Sequence, residues 1–406
     1  MDLEELSLIP LSRVIDKLKN VLIPIKKKGW SKIDASIAKI LADDVFAKLD
    51  NPPFNNSAID GYALKPEKIK GEQTFRVLKK TSTPGSPFKG VLKKKEAVRI
   101  LTGAQVPEES DKIVFDEDVN IKEDKFSIKF KNNESSNIRL RGEDIKRGQL
   151  LFEKGYSISE TDMPSLIASG NSLLATFDRL RVGLLKTGNE IKEKKTSKSV
   201  DSILDSNGIP LAALFKRWGY EEVSLGNVND DLAEIKKRLS QNLETVDVIV
   251  TTGGASAGKE DFISKLLLSE GEVYAWKIAI KPGRPIIFGR WNGKYIFGLP
   301  GNPVAAFVCA LIFLRPSLGR VAGEINWFEP LSFKVISAFK KTKKVGRTEF
   351  LRARLEKNNT VSVFPYEGSG RLTSLSWSNG LVKLEDKTST VAIGDEVTFI
   401  PYSSFY

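Results

Sequence analysis

The residues best placed to do chemistry lie between Val246 and Asp261, in the stretch VDVIVTTGGASAGKED. Val248-Ile249-Val250 is an apolar β-branched run, as in a strand buried on both faces. It breaks into Thr251-Thr252-Gly253-Gly254, and Gly258-Lys259-Glu260-Asp261 precedes an apolar helix start at Phe262. Strand, glycine loop and helix together bring backbone N–H groups to an anion. Gly253 to Lys259 satisfies G-x-x-x-x-G-K, the front of a nucleotide-binding P-loop. Glu260 then stands where that loop needs Ser or Thr for Mg²⁺, and its carboxylate would repel phosphate. The reading is a phosphate-handling loop of another kind, with Asp261 or Glu260 free to meet a metal.

A second chemical set follows. Lys277 and Lys281 are four apart in an apolar run, Val273 to Ile280, that reads as a strand. On a continuous strand they share one face, and they run into Pro282-Gly283-Arg284-Pro285 as an oxyanion clamp. The chain has no histidine and one cysteine, Cys309. That excludes a Ser-His-Asp triad, a His general base, an intrachain disulfide and multi-cysteine zinc. Proton transfer and metal binding then rest on carboxylates, lysines, hydroxyls and water, a donor set that favours Mg²⁺. The net charge of +12 lies in short lysine clusters without aromatic interleaving. These read as solvated faces and as a field for small anions, not as a nucleic-acid surface.

The elements that position these groups alternate from Arg181 onward. Val182–Leu185 and Glu222–Leu225 read as strands, and 209–218 and 232–239 as helices. Ser206 or Asn207, and Asn229 or Asp230, are the helix caps in this reading. The alternation predicts a doubly wound, mostly parallel α/β domain over 178–325, whose ligands lie beyond the strand carboxyl ends. Thr187 to Glu190, Asn227 to Asp230 and Thr251 to Asp261 are three such ends. Ile286–Arg290 and Lys294–Gly298 read as a hairpin, and Leu299-Pro300-Gly301-Asn302-Pro303 opens a long helix holding Cys309 in the core.

Before this domain, residues 1–50 and 139–177 read as an elongated unit. It has helices at Leu11–Leu18, Ala35–Phe46 and 158–175, the last capped by Ser159 with Asp162. Residues 51–138 are a β-rich insertion, entered through the polar loop from Asp50 to Ala63 that carries Asp60. Residues 326–406 read as a C-terminal β-barrel. No run approaches the length of a membrane span, and the acidic start MDLEELSLIP is no signal peptide, so the expected location is cytoplasmic.

Ten stretches in order resemble the molybdopterin molybdenumtransferases, the MoeA proteins and the E domain of gephyrin. They are PPFNNSAIDGYA, LTGAQVP, RGEDI, LLKTGNEI, DSNG, TTGGASAGKEDF, WKIAIKPGRP, GLPGNPV, GRTEFLR and GSGRLTSL. The resemblance implies insertion of molybdate into adenylylated molybdopterin, with Mg²⁺ and release of AMP. It implies a homodimer in which the doubly wound domain of one subunit faces domains of the other. The molybdopterin adenylyltransferase and molybdoenzymes would be its partners. It places functional roles on Asp60, Thr102, Arg139, Asp144, Glu190, Asp230, Asp261, Lys277, Lys281 and Ser369, and matches Pro300, Pro303, Arg347 and Arg352. In that reading Glu190, Asp230 and Asp261 hold Mg²⁺. Thr187, Gly253, Gly254 and Ser256 cradle the phosphates, and Lys277, Lys281, Arg347 and Ser369 bind the oxyanion, molybdate or tungstate. Asn55, Asn189 and Arg284 depart from the family pattern, as do Ala255 and Ala257. A carrier or scaffold without turnover and a P-loop nucleotidase are the other readings.

Overall fold

The computed structural model describes residues 8–25, 27–66, 71–130, 135–192, 203–254, 261–366, 368 and 370–406. Its centre is the doubly wound sheet. The strands are β1 (Arg181–Thr187), β2 (Glu221–Val228), β3 (Val248–Thr252), β4 (Glu272–Trp276), β5 (Ile287–Trp291) and β6 (Lys294–Leu299), in the order β2-β1-β3-β6-β5-β4. β2, β1, β3 and β6 are parallel, and β5 is antiparallel to both β6 and β4. β4 therefore ends on the same edge as β1, β3 and β6. The Asn292-Gly293 turn of the β5–β6 hairpin has positive φ at both residues, as a two-residue hairpin loop needs.

Both faces of the sheet are covered, which explains the unbroken apolar strands. Val248 and Val250 face one core with the helices Leu11–Val21, Gly208–Arg217 and the long run from Pro303. Ile249 faces the other, with the helices Leu232–Gln241 and Phe262–Glu270. Pro303–Ala322 has a mean hydropathy of 1.7 over a membrane-spanning length of 20 residues, against the sequence expectation that no run comes near one. It is 83% buried, so its apolarity serves packing against the sheet.

Two other expectations fail. Ala35–Phe46 is not a helix. It holds the end of a 3₁₀ turn and a short strand, and Leu41 and Ala42 donate instead to Tyr156 and Ala175. Long-range pairing has overridden a helix-like apolar spacing. Residues 158–175 are only partly helical: the expected Ser159–Asp162 capping box is present, but the helix ends at Ala168 and Leu173–Phe177 pairs with Lys28–Lys32.

The inserted unit is a five-stranded sheet. The C-terminal region closes as a five-stranded barrel: Thr348–Leu355 pairs with Thr360–Val363 on one side and Gly380–Leu384 on the other, and Phe333–Ser337 and Glu396–Pro401 complete the ring. Ile280 and Lys281 of the α/β domain pair in parallel with Thr348 and Glu349 of the barrel, so the two units share a ladder.

Candidate active site

The chain leaves β1 toward β2 on one side and toward β3 on the other, so the crevice of the doubly wound sheet opens between the ends of β1 and β3. Thr187 and Gly253 meet there. A Cβ on Gly253 would lie 2.5 Å from the Thr187 carbonyl oxygen, and its φ is +87°, so only glycine fits. The Gly253 N–H donates to Leu299 at 3.3 Å, and Gly254 accepts from the Ser264 N–H at 3.4 Å. Pro300 is buried, and the adjoining Gly301 lies against Gly253; Asn207 Nδ2 donates to the Gly301 carbonyl at 2.7 Å. The cradle is thus assembled from three loops. Ser256, Lys259 and Glu260 lie outside the described residues, and with them the P-loop-like part of the motif.

Two further loops close on it. Asn189 Oδ1 accepts from the Asp230 N–H at 3.1 Å, and Asn227 Nδ2 donates to Ile191 at 2.8 Å. Glu190 is exposed and folds back over Gly188. Asn207 holds the N-cap position expected of it before Gly208–Arg217, but the side chains that cap the two helices are others. Asp231 Oδ1, not Asn229 or Asp230, accepts from Glu234 N–H at 2.8 Å, which leaves Asp230 no capping task. Asp205 Oδ1, not Ser206 or Asn207, accepts from the N–H groups of Asn207 and Gly208. Asp205 also pairs with the buried Lys186 at 3.4 Å. Asp261 is buried, at 4% exposure, at the start of the helix Phe262–Glu270. Glu190, Asp230 and Asp261 therefore stand on three strand-end loops. Among the described residues, however, no three acidic side chains gather closely enough to share one ion.

Lys277 and Lys281 do not share a strand face. β4 stops at Trp276, and Lys277 takes φ +56°. The physical reason is competition for the backbone: the Lys277 carbonyl accepts from Ile9, Ile278 donates to Arg284, and the segment then crosses to the barrel ladder. Lys277 is buried, with its ammonium 4.8 Å from the Trp276 ring centre. Lys281 instead lines a cleft of about 610 Å³ between the Ile280–Pro285 segment and the barrel. Arg284, Lys340, Lys341, Arg347 and Arg352 line it too, with Phe364 and Tyr366. Arg352 is buried and supports the wall: Nε donates to Ser374 Oγ at 3.1 Å, and an Nη donates to the Gly368 carbonyl at 3.0 Å. Ser369 lies outside the described residues.

Asp60, Thr102, Arg139 and Asp144 are all exposed. The Thr102 N–H and Oγ1 both donate to Asp60 Oδ1 at 2.7 Å, and these bonds hold the Asp60 carboxyl below its ordinary range. Arg139 pairs with Asn56 in a two-residue ladder, and Asn51 Nδ2 donates to Asp144 at 2.8 Å. Asn55 Oδ1 accepts from the Arg141 N–H at 2.8 Å. Asn55 and Asn189 thus each accept one backbone N–H, which an amide does as well as a carboxylate. Arg141 Nε pairs with Asp50 at 2.6 Å.

Sequence reading missed Asp205, Lys341 and Glu349. Asp205 lies in the quoted DSNG stretch, where an acid three residues before a helix signals a capping turn. Lys341 was passed over as one of a solvated lysine cluster. Glu349 stands inside GRTEFLR and gave no separate signal.

Three family models match in order: "MoeA N-terminal region (domain I and II)" over 9–170, "Probable molybdopterin binding domain" over 183–320 and "MoeA C-terminal region (domain IV)" over 334–402. The chain is 34% identical over 372 residues to the molybdopterin molybdenumtransferase of Haemophilus influenzae, covering 90% of this chain and 91% of that one. It is 28% identical over 412 residues to that of Staphylococcus epidermidis, covering 98% and 97%. Among solved structures, a molybdopterin biosynthesis MoeA protein from Pyrococcus horikoshii superposes with a TM-score of 0.84 at 25% identity, covering 98% of this chain and all of that one. A molybdenum cofactor biosynthesis protein from Pyrococcus furiosus shares the fold, with a TM-score of 0.62 at 19% identity, covering 98% of this chain and 100% of that one.

Proposed function

Because the chain belongs to the molybdopterin molybdenumtransferase family, we propose that it inserts molybdate, or tungstate, into adenylylated molybdopterin and releases AMP. The observation that carries this is the seam from Lys277 to Pro285. It leads from the edge where the glycine cradle opens into a cleft lined by cationic side chains. A substrate with a phosphoanhydride at one end and an oxyanion acceptor at the other needs both.

In this reading Gly253, Gly254 and Ser256 receive the phosphates through backbone and hydroxyl donors, with Thr187 and Pro300 shaping the floor and Pro303 opening the helix behind it. Lys281 and Arg347 hold the oxyanion with Ser369, and Arg352 supports the cleft wall. Lys277 stands between the two ends, where its charge offsets the one that develops as the P–O bond breaks and AMP leaves. Glu190, Asp230 and Asp261 offer oxygen donors only, which suits Mg²⁺. That ion commonly takes one or two carboxylates plus phosphate and water oxygens, so a three-carboxylate cluster is not required. Bound there, Mg²⁺ would neutralise phosphate charge.

The Asp60–Thr102–Arg139–Asp144 group sits on different units, which supports a homodimer in which a partner brings it to the crevice. Trp30 is 67% exposed on the elongated unit, and Phe46 and Leu150 are paired and exposed, as an apolar contact surface requires. The deciding experiment is AMP release from adenylylated molybdopterin with added molybdate, with tungstate as competitor. The wild type turns over, and Asp261→Ala, folded by circular dichroism, loses release by at least a hundredfold. A normal rate in Asp261→Ala removes the site assignment. Tight pterin binding by the wild type with no AMP release makes the protein a carrier.

A further inference from the structure

Glu349 stands on the barrel strand that pairs with the Lys281 segment, directly opposite Lys281 in register. It is 5% exposed. One carboxylate oxygen lies 3.7 Å from Lys281 Nζ, and the other lies 4.0 Å from Lys341 Nζ. Lys281 comes from the α/β domain and Lys341 from the barrel, and both line the 610 Å³ cleft. Glu349 is thus a buried carboxylate set behind two cations of a cleft whose charged lining, among the described residues, is positive.

A buried carboxylate in such a place does two things at once. It holds the two ammonium groups from different units in one geometry, and it subtracts a unit of charge from the field that a bound dianion feels. A surplus of unopposed cations would hold an oxyanion tightly in the ground state and give nothing to its transfer, since uniform binding does not speed a chemical step. We propose that Glu349 is a positioning residue that sets how tightly this cleft holds its oxyanion, with Lys341 as a further anion-binding residue beside Lys281. The inference rests on the reading of the cleft as the oxyanion site.

The test is calorimetric titration of the full-length protein with molybdate and, separately, sulfate, followed by steady-state AMP release. Removing one negative charge at this range tightens a dianion on the order of tenfold. Glu349→Gln therefore binds both anions about tenfold more tightly, and shows a lower KM for molybdate together with a lower kcat. Glu349→Asp, which restores the charge, returns the affinity to within a few-fold of wild type. Lys341→Met weakens molybdate binding about tenfold, and this holds the inference to account if Glu349→Gln fails to fold. A purely structural Glu349 would give weaker binding in Glu349→Gln, and unchanged or weaker binding there overturns the inference. The underlying reading fails in a different way: Lys281→Met then binds molybdate as well as wild type, or the wild type binds none, and the inference falls with it.

Discussion

At the level of single residues, the acids of this protein are sorted by their surroundings. Asp231 and Asp205 spend their oxygens on helix N-termini, so Asp230 carries no such duty. Asp60 is exposed, yet two donors from Thr102 favour its ionised form. Its carboxyl is therefore depressed, and the sign of the linkage follows. The favourable interaction is fully present above the ordinary aspartate range and is lost as pH falls through the depressed value. Thr102→Val removes the hydroxyl donor, which is the larger cause, and keeps the backbone one. The Asp60 titration, followed by carbon-13 NMR of the side-chain carboxyl, then moves up toward that of an ordinary aspartate. An unmoved midpoint would mean that the Thr102 hydroxyl does not govern Asp60.

The elements show why a glycine matters at one loop and not at its neighbour. Gly253 combines positive φ with a 2.5 Å approach to Thr187, whereas a Cβ on Gly301 would meet the Gly253 backbone at ordinary distances of 3.6 and 4.0 Å. Gly253→Ala is expected to cost about 2 kcal/mol of stability and to impair turnover. Gly301→Ala stays within about 0.5 kcal/mol of wild type in urea unfolding. Equal losses in the two variants would remove the close approach as the cause. This loop was legible in the sequence because β3 is buried on both faces, and its apolar run stops where the glycines start. What escaped reading is what depends on distant partners. Leu41 and Ala42 look helical by spacing but donate to residues more than a hundred positions away. The run from Val273 to Ile280 reads as one strand, but its two ends belong to different sheets. Lys281 and Glu349 meet because that segment pairs with the barrel, and Lys341 reaches Glu349 from a separate two-stranded ladder with Val391; no local pattern encodes either.

For the molecule as a whole, the helix Pro303–Ala322 is the common support, since its side chains belong to the core that also takes in the Leu11–Val21 helix, the α/β sheet and barrel residues such as Phe350 and Leu381. Into this apolar helix the chain sets Arg315, which pairs with Glu324 just past the helix end at 3.0 Å. Burial pushes the Glu324 carboxyl up, and Arg315 pulls it back down. Removing the arginine leaves the acid buried beside the Tyr220 hydroxyl's region of the core, a change that commonly costs 3–5 kcal/mol, so Arg315→Leu is expected to lose about 3 kcal/mol at neutral pH. The pH dependence separates a charge effect from a packing effect. Because the folded-state value of Glu324 is raised, and rises further without Arg315, the folded variant takes up a proton more readily than the unfolded chain does. The penalty is therefore full above the folded-state value and shrinks as pH falls through it. Urea unfolding of Arg315→Leu and wild type at pH 7.5 and pH 5 checks this: the gap between them narrows toward acid. A gap that stays constant would make Arg315 a packing residue, through its stem and its guanidinium 4.1 Å from the Phe328 ring centre, and not the counter-charge of Glu324.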